Sequence, residues 1–538
     1  MNSRWSGMGA AVSVLAVLAA GAAPASSAPR PGTHRGALPL GAADLSETRT
    51  TRTLQAGVTL TRIVRGAEAP ALAWTVEVSI PGGATSPDPD APPTALKDRA
   101  SADELAAGLR ADGFDARAED VVTPAVADFA GGSLGRRVRV GRFDSQAAAN
   151  AERGRLSAAG HTGSAVYTGW DGNPTDRGPF HVDVLTIDPH RFRGTLKASY
   201  GPDLENRETT SALAAAAGAT AGVNAGFFVL DPKAGAPGDP AGVGVYDGRL
   251  LSETVDGRPG LVVRDSARST RIDRFTWQGR VTGGGRTLAL DGIDRVPGLI
   301  RNCGGTADDS PTSRPLHDAT CTDPDELVAF TPEFGDRTPQ GDGLEAVLDR
   351  HGRVLDLRSP RGGTLPEGGS SVQATGKDVA RLAAVAKTGR PLRVQSGLKD
   401  AKGHAVATRG TSILNGGPEL VRDGRLHVTP AADGMVQPAN PSFYYGWVHK
   451  RNPRTLAGVD AAGRTVLVTA DGRSTGALGL SIPESAAVAK ALGLRDAINL
   501  DGGGSTTMVA DAQVINDPSD ATGERPVGDA LLIVPGRH

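Results

Sequence analysis

The sequence predicts an α+β protein in which a small βαββαβ module precedes one large mixed-sheet domain, and three observations carry that expectation. A period-two segment at Trp74 opens a strand, helix, strand, strand, helix, strand series that closes near Thr168. From Phe180 onward, short Val, Leu and Ile runs are separated by Gly-Arg and Asp-Gly turns with few helical patterns among them. This fits mixed or antiparallel sheets better than a strictly alternating parallel fold. Gly (72) and Pro (37) take a share of the 538 residues well above average usage, a composition of many turns. The balance of 60 Asp plus Glu against 58 Lys plus Arg excludes both an acidic disordered tail and a basic nucleic-acid binder.

Residues 1–28 read as a secretory signal peptide: Arg4, a short apolar run from Met8 to Ala20, then Ala23-Pro24-Ala25 and Ser26-Ser27-Ala28 as a small-residue cleavage zone. The apolar run is shorter than the roughly 20 residues of a spanning helix, so the chain is expected to be secreted or cell-wall associated and not membrane-spanning after cleavage. Residues 29–55 are rich in Pro, Gly, Arg and Thr without periodicity, and 29–69 read as a flexible leader. The small module spans 70–172. Trp74 to Ile80 alternates as a strand, Pro81 and the Pro-rich run from Ser86 to Pro93 interrupt it, and Ala102 to Ala111 has helical composition ending at Gly113. Asp115 to Thr123 and Arg137 to Val140 are strands, Ser145 can cap a helix through Leu156, and Ser164 to Thr168 is the last strand.

The large domain spans 178–538. Its strands include Val182 to Ile187, Leu261 to Val263, Val394 to Gly397 and Val466 to Val468; its helices are Ser211 to Ala217, Val379 to Lys387 and Pro483 to Leu492, the last with Pro in its first turn and Gly493 as a stop. Cys303 and Cys321 lie in a stretch crowded with Gly, Pro, Asp and Ser; in an exported chain they form a structural disulfide that contributes roughly 3 kcal/mol by closing the loop.

The chemistry concentrates near the C-terminus, in Asn499-Leu500-Asp501-Gly502-Gly503-Gly504-Ser505-Thr506. One Asp, three glycines and hydroxyl residues make a tight loop whose backbone N–H groups can form an anion nest, and the missing Lys sets it apart from a nucleotide P-loop. Arg454, after a Pro-fixed backbone in Asn452-Pro453-Arg454-Thr455, is a fork-shaped cation suited to phosphate or carboxylate. Asp471-Gly472-Arg473 is a turn that also offers an acid. Asn224, among small residues before Phe227-Phe228, and Asn415 in Asn415-Gly416-Gly417-Pro418 are polar amides that could line a sugar pocket.

Read together and in order, Gly222 to Phe228, Asn415 to Pro418, Asn452 to Thr455, Asp471 to Arg473, Pro483-Glu484 and Asn499 to Thr506 resemble the phosphodiester glycosidase family, whose best-known member removes N-acetylglucosamine from mannose 6-phosphate tags. The earlier module, through Arg137 to Phe143, Ser145, Ala148, Leu156 and Gly160, resembles the SPOR domain, a small ferredoxin-like module that binds peptidoglycan stripped of stem peptides. The resemblance implies an exported hydrolase that cleaves a sugar-1-phosphodiester of the N-acetylglucosamine type in cell-wall or extracellular glycans, tethered to peptidoglycan. A phosphomonoester is a good leaving group, so charge stabilisation and a placed carboxylate should dominate. Arg454, Thr455 and Gly502, Gly503 and Gly504 would hold the phosphate. Asp501 would be the carboxylate, with Asp471 or Glu484 as the second, and Asn224, Asn415 and Ser505 would bind sugar hydroxyls. No cofactor is implied; a divalent metal on Asp501 and Asp471 has no ligand spacing in its favour. The alternative is a non-catalytic cell-wall protein whose Gly-rich loop recognises an anionic glycan without cutting it.

Overall fold

The computed structural model describes residues 36–80, 93–255, 257–301, 308–312, 319–437 and 439–536. The signal peptide, most of the Pro-rich run and Cys303 lie outside the described residues. Strands β1 (Glu47–Gln55) and β2 (Val58–Arg65) form an antiparallel hairpin. This corrects the expectation of a flexible leader through residue 69: Val58 and Leu60 are buried in one apolar cluster and Ile63, on the opposite face of β2, in another, so the strand is covered on both sides and shows no simple alternation.

The small module follows the expected order: β3 (Trp74–Val78), α1 (Arg99–Ala111), β4 (Ala116–Thr123), β5 (Gly132–Phe143), α2 (Gln146–Ala158) and β6 (Gly163–Tyr167). Its antiparallel sheet runs β4-β5-β3-β6. Asp98 and Ser145 cap the two helices by accepting from the backbone N–H of Ser101 and Ala148. The alternation of β3 predicts one wet face, yet every residue of the strand is buried. Thr75 donates to Val140 and Gly141 carbonyls, and Glu77 meets Arg139. The outer face of this sheet is covered by the large domain.

That cover is both ionic and apolar. Tyr445 donates its hydroxyl to Glu77 at 2.7 Å, Arg137 donates to the same hydroxyl at 2.9 Å, and Arg139 holds Asp171 with two bonds of 2.6 Å. Burial favours a neutral Glu77, but Lys450, Arg139 and Arg137 outweigh it and hold the carboxyl below the usual range. Trp74, Val76, Leu109 and Val140 of the module share one apolar cluster with Tyr444, Val468, Leu480 and Ile482 of the large domain.

In the large domain, β7 (Phe180–Ile187) joins β2 to the strand Thr465–Ala470. The sheet then continues through Arg454–Asp460, Leu494–Asn499, Glu419–Arg422 and Arg425–Leu426. A five-stranded sheet contains β8 (Thr195–Ser199), then, past the helix α3 (Thr210–Ala217), β9 (Ala221–Asn224), together with Met508–Ala510, Gln513–Val514 and Ala530–Val534. Leu185, Leu467 and Ile498 of the first sheet pack against Val223, Met508 and Leu531 of the second. Nearly all strand pairs are antiparallel, as the turn-rich composition predicts; Gly292–Ile293 beside Leu327–Phe330 is a parallel pair. Residues 270–400 build further sheets with an apolar cluster of their own.

Candidate active site

The Gly-rich loop leaves the strand Leu494–Asn499 at the junction of the two packed sheets, beside the end of β9. Asn224, the last residue of β9, is fully buried, and both ends of its amide are engaged. Its Nδ2 donates to the Asp501 carbonyl at 2.7 Å; its Oδ1 accepts from Thr455 Oγ1 at 2.6 Å and from the Thr507 N–H at 3.1 Å. Asn415 likewise braces Phe227, accepting from its N–H at 2.9 Å and donating to its carbonyl at 3.1 Å. Asn224, Thr455 and Asn415 therefore position the loop and its neighbour through these bonds.

The nest also differs from expectation. The N–H of Gly502 bonds Asp501 Oδ1, that of Gly503 bonds the Pro453 carbonyl, and those of Ser505 and Thr506 bond back to Gly502 and Gly503. The loop's amides mostly satisfy the loop itself, and the Ser505 side chain is buried. The glycines serve close approach instead. Gly503 has φ of 58°, and a Cβ on Gly504 would collide with the paired Arg525 and Asp520 side chains.

What surrounds the loop is cationic. Arg454 is 3% exposed; its Nε donates to the Leu480 carbonyl at 2.9 Å and its Nη2 to the Trp447 carbonyl at 2.7 Å. Among the described residues no carboxylate lies within ion-pair distance of it, and its Nη1 carries no hydrogen bond. Burial, with Arg473 nearby, pushes this guanidinium down to about 9. Arg473 sits at φ 58°, a left-handed backbone that a non-glycine residue adopts at a cost, and its guanidinium lies over Gly503. Arg525 holds Asp520 through bonds of 2.7 and 3.0 Å beside Gly504. An unpaired buried cation is expensive unless an anion shares the site.

The three expected carboxylates part company. Asp501 is half-buried at the loop mouth, bonded through Oδ1 to Gly502. Asp471 is buried; burial raises its carboxyl to about 6 against bonds from the Asp517 N–H at 3.0 Å and Asn516 Nδ2 at 3.2 Å, and the same Asn516 amide donates to the Thr506 carbonyl. Glu484 is structural: it forms a capping box with Ser481 at the start of the helix Ile482–Ala491 and pairs with the fully buried Arg451 at 2.6 Å. Sequence reasoning missed Asp529, buried and raised to about 6 by burial, which accepts from the Gly226 N–H and the Tyr246 hydroxyl. It missed Arg525 as well; neither stands in a motif, and the tertiary fold alone brings Arg525 to Gly504 and Asp529 to Gly226.

Next to Arg473 a cavity of about 260 Å³ opens between the two modules, lined by Glu77, Trp170, Tyr445, Trp447, Asn452 and Arg473. Aromatic faces beside polar ends suit a sugar ring. The second cysteine, Cys321, is buried on the strand Ala319–Thr322.

The phosphodiester glycosidase family model matches residues 342–534, and the SPOR domain model matches residues 94–168. N-acetylglucosamine-1-phosphodiester alpha-N-acetylglucosaminidase of Mus musculus is 32% identical over 109 residues, 20% of this chain and 21% of its own length, and the Homo sapiens enzyme matches to the same extent. The match thus spans about a fifth of these curated relatives. The crystal structure of a Burkholderia pseudomallei protein named as exported is similar over 93% of this chain and 98% of its own, at 35% identity and a TM-score of 0.81. A hypothetical protein from Synechocystis shares the fold, covering 90% and 76% of the two chains at 16% identity with a TM-score of 0.51. The chain thus carries a phosphodiester glycosidase domain over residues 342–534 and, ahead of it, a SPOR domain over residues 94–168.

Proposed function

We propose that this protein is an exported hydrolase of sugar-1-phosphodiesters of the N-acetylglucosamine type in cell-wall or extracellular glycans. The observation that carries the reading is Arg454: a buried guanidinium, fixed by three backbone carbonyls, without a carboxylate partner among the described residues and with one nitrogen to spare, beside a loop that starts at Asp501. The diester phosphate bonds Arg454 with Arg473 alongside, and the bridging oxygen between phosphorus and the anomeric carbon leaves with the phosphate. Asp501 supports the oxocarbenium-like state or activates water, and Asp471, raised by burial, holds a proton at mildly acidic pH. No step is assigned to a metal on Asp501 and Asp471.

The ferredoxin-like SPOR module supplies one wall of the cavity beside Arg473, so a glycan chain bound there reaches the cleavage site directly. This supports peptidoglycan or a related wall glycan as partner. The relative named as exported and the N-terminal sequence support a secreted or wall-associated location, where the expected Cys303–Cys321 disulfide would form. The reading is tested with α-N-acetylglucosaminyl phosphodiesters carrying 4-nitrophenyl or uridine groups, beside a pull-down on peptidoglycan with and without stem peptides. Release of free N-acetylglucosamine is expected. Retention on glycan without release from any diester would favour the non-catalytic binding protein.

A further inference from the structure

Away from the site described above, Asp291, Asp308 and Asp323 converge so that one carboxylate oxygen from each lies within 4.8 Å of the others. Asp291 and Asp323 are only 6% and 4% exposed, whereas Asp308 is exposed. A buried acidic trio alone would be a charge penalty without purpose, but its hydrogen bonding adds a second observation. Asp323 Oδ1 accepts from the Asp325 N–H at 2.8 Å, while its Oδ2 is buried and has no partner of any kind. A buried carboxylate oxygen left unsatisfied and facing two more carboxylates is a position a cation would complete. The nearest lysine, Lys377, is committed to Asp325 at 2.7 Å, and among the described residues neither Asp308 nor Asp323 forms an ion pair.

We infer that Asp291, Asp308 and Asp323 form a binding site for one Ca²⁺ ion. Hard carboxylate oxygens select Ca²⁺ or Mg²⁺ over softer metals. Ca²⁺ accepts irregular oxygen geometry and sheds water readily, whereas Mg²⁺ demands a near-ideal octahedron and keeps its waters, so three carboxylates converging within 4.8 Å from separate segments suit Ca²⁺ better. The remaining ligands are backbone carbonyls or water, as Ca²⁺ sites at an exposed edge ordinarily use. Leu327 N–H donates to Asp291 at 2.6 Å, which ties one ligand to the strand Leu327–Phe330. Asp323 follows Cys321 by two residues. The ion would therefore pin the cysteine-bearing segment to the sheet, a structural role independent of the glycosidase reading.

The test uses the full mature chain, stripped with EDTA and titrated with CaCl₂ or MgCl₂ by calorimetry and by thermal unfolding. One Ca²⁺ per chain is expected, with a rise in melting temperature of about 2–5 °C at saturation and a weaker response to Mg²⁺. Asp323→Asn should lose the calorimetric site and the thermal rise. In EDTA it should melt no lower than wild type, since it removes a like-charge neighbour; that comparison separates lost binding from lost folding. Asp308→Asn, at an exposed position, should weaken binding at least tenfold. Absence of Ca²⁺ binding, equal response to Mg²⁺, or an unchanged stoichiometry in Asp323→Asn would overturn the assignment.

Discussion

Arg454 shows how a single residue type gains meaning from its surroundings. In the sequence it is one of 58 basic residues, set apart only by the proline before it. In the fold it is buried, with two of its nitrogens held by carbonyls and the third open, a geometry that a lysine cannot copy. Arg454→Lys is therefore expected to behave like Arg454→Ala, each lowering kcat/KM for a sugar phosphodiester by about 100-fold or more, the order seen when a placed charge-stabilising donor is removed. Steady-state kinetics on the two variants checks this. Asp529 gives a second prediction at this scale. Its folded-state carboxyl lies near 6, above the ordinary 3.8, so the folded protein holds the proton more tightly and stability falls as pH rises through that window. Asp529→Asn removes that fall: the melting temperature of the variant relative to wild type should climb between pH 4 and pH 7, and a constant difference would contradict the buried, proton-retaining state.

Among the elements, the helix Ile482–Ala491 was legible in nearly every detail. Pro483, Glu484 and Gly493 mark its ends, and the structure adds the reciprocal bonds between Ser481 and Glu484. What the sequence could not show is that Glu484 also answers Arg451, thirty-three residues earlier, whose side chain is fully buried. Glu484→Gln should accordingly cost about 3 kcal/mol in denaturant unfolding, by leaving a buried cation half-paired. Whatever turnover the folded fraction has should survive, whereas a catalytic acid would lose it. The Gly-rich loop is the converse case. Its glycines were visible and pointed to close approach, but to what was not: the approaching groups include the side chains of Arg525 and Asp520 and the guanidinium of Arg473. Gly504→Ala should push aside the flexible ends of the Arg525 and Asp520 side chains and change the melting temperature by no more than about 2 °C; a loss of many degrees would mean that the pair is held rigidly against the loop.

For the whole molecule, the small βαββαβ module could be read in order from alternation, caps and glycine stops, because each signal is local. The hairpin β1–β2 could not, since β2 finds its sheet partner in β7, more than a hundred residues away, and the outer strand carries Thr and Arg. Nor could the joining of the two modules, which depends on Glu77 of β3 and Arg137 of β5 finding Tyr445. Since one apolar cluster runs through both, calorimetric unfolding should show the SPOR module and the sheet bearing Arg454 melting in a single transition; two well-separated transitions would mean independent domains.

The account rests on hydrolysis at an arginine-anchored phosphate beside Asp501. The most direct measurement is the release of free N-acetylglucosamine from an α-N-acetylglucosaminyl phosphodiester by the wild-type chain, Arg454→Ala and Asp501→Ala, each shown to be folded by its melting temperature. Release by wild type and its loss in both folded variants is the predicted result. Release that persists at near wild-type rates in either variant, or that wild type never shows with either anomer, would contradict it.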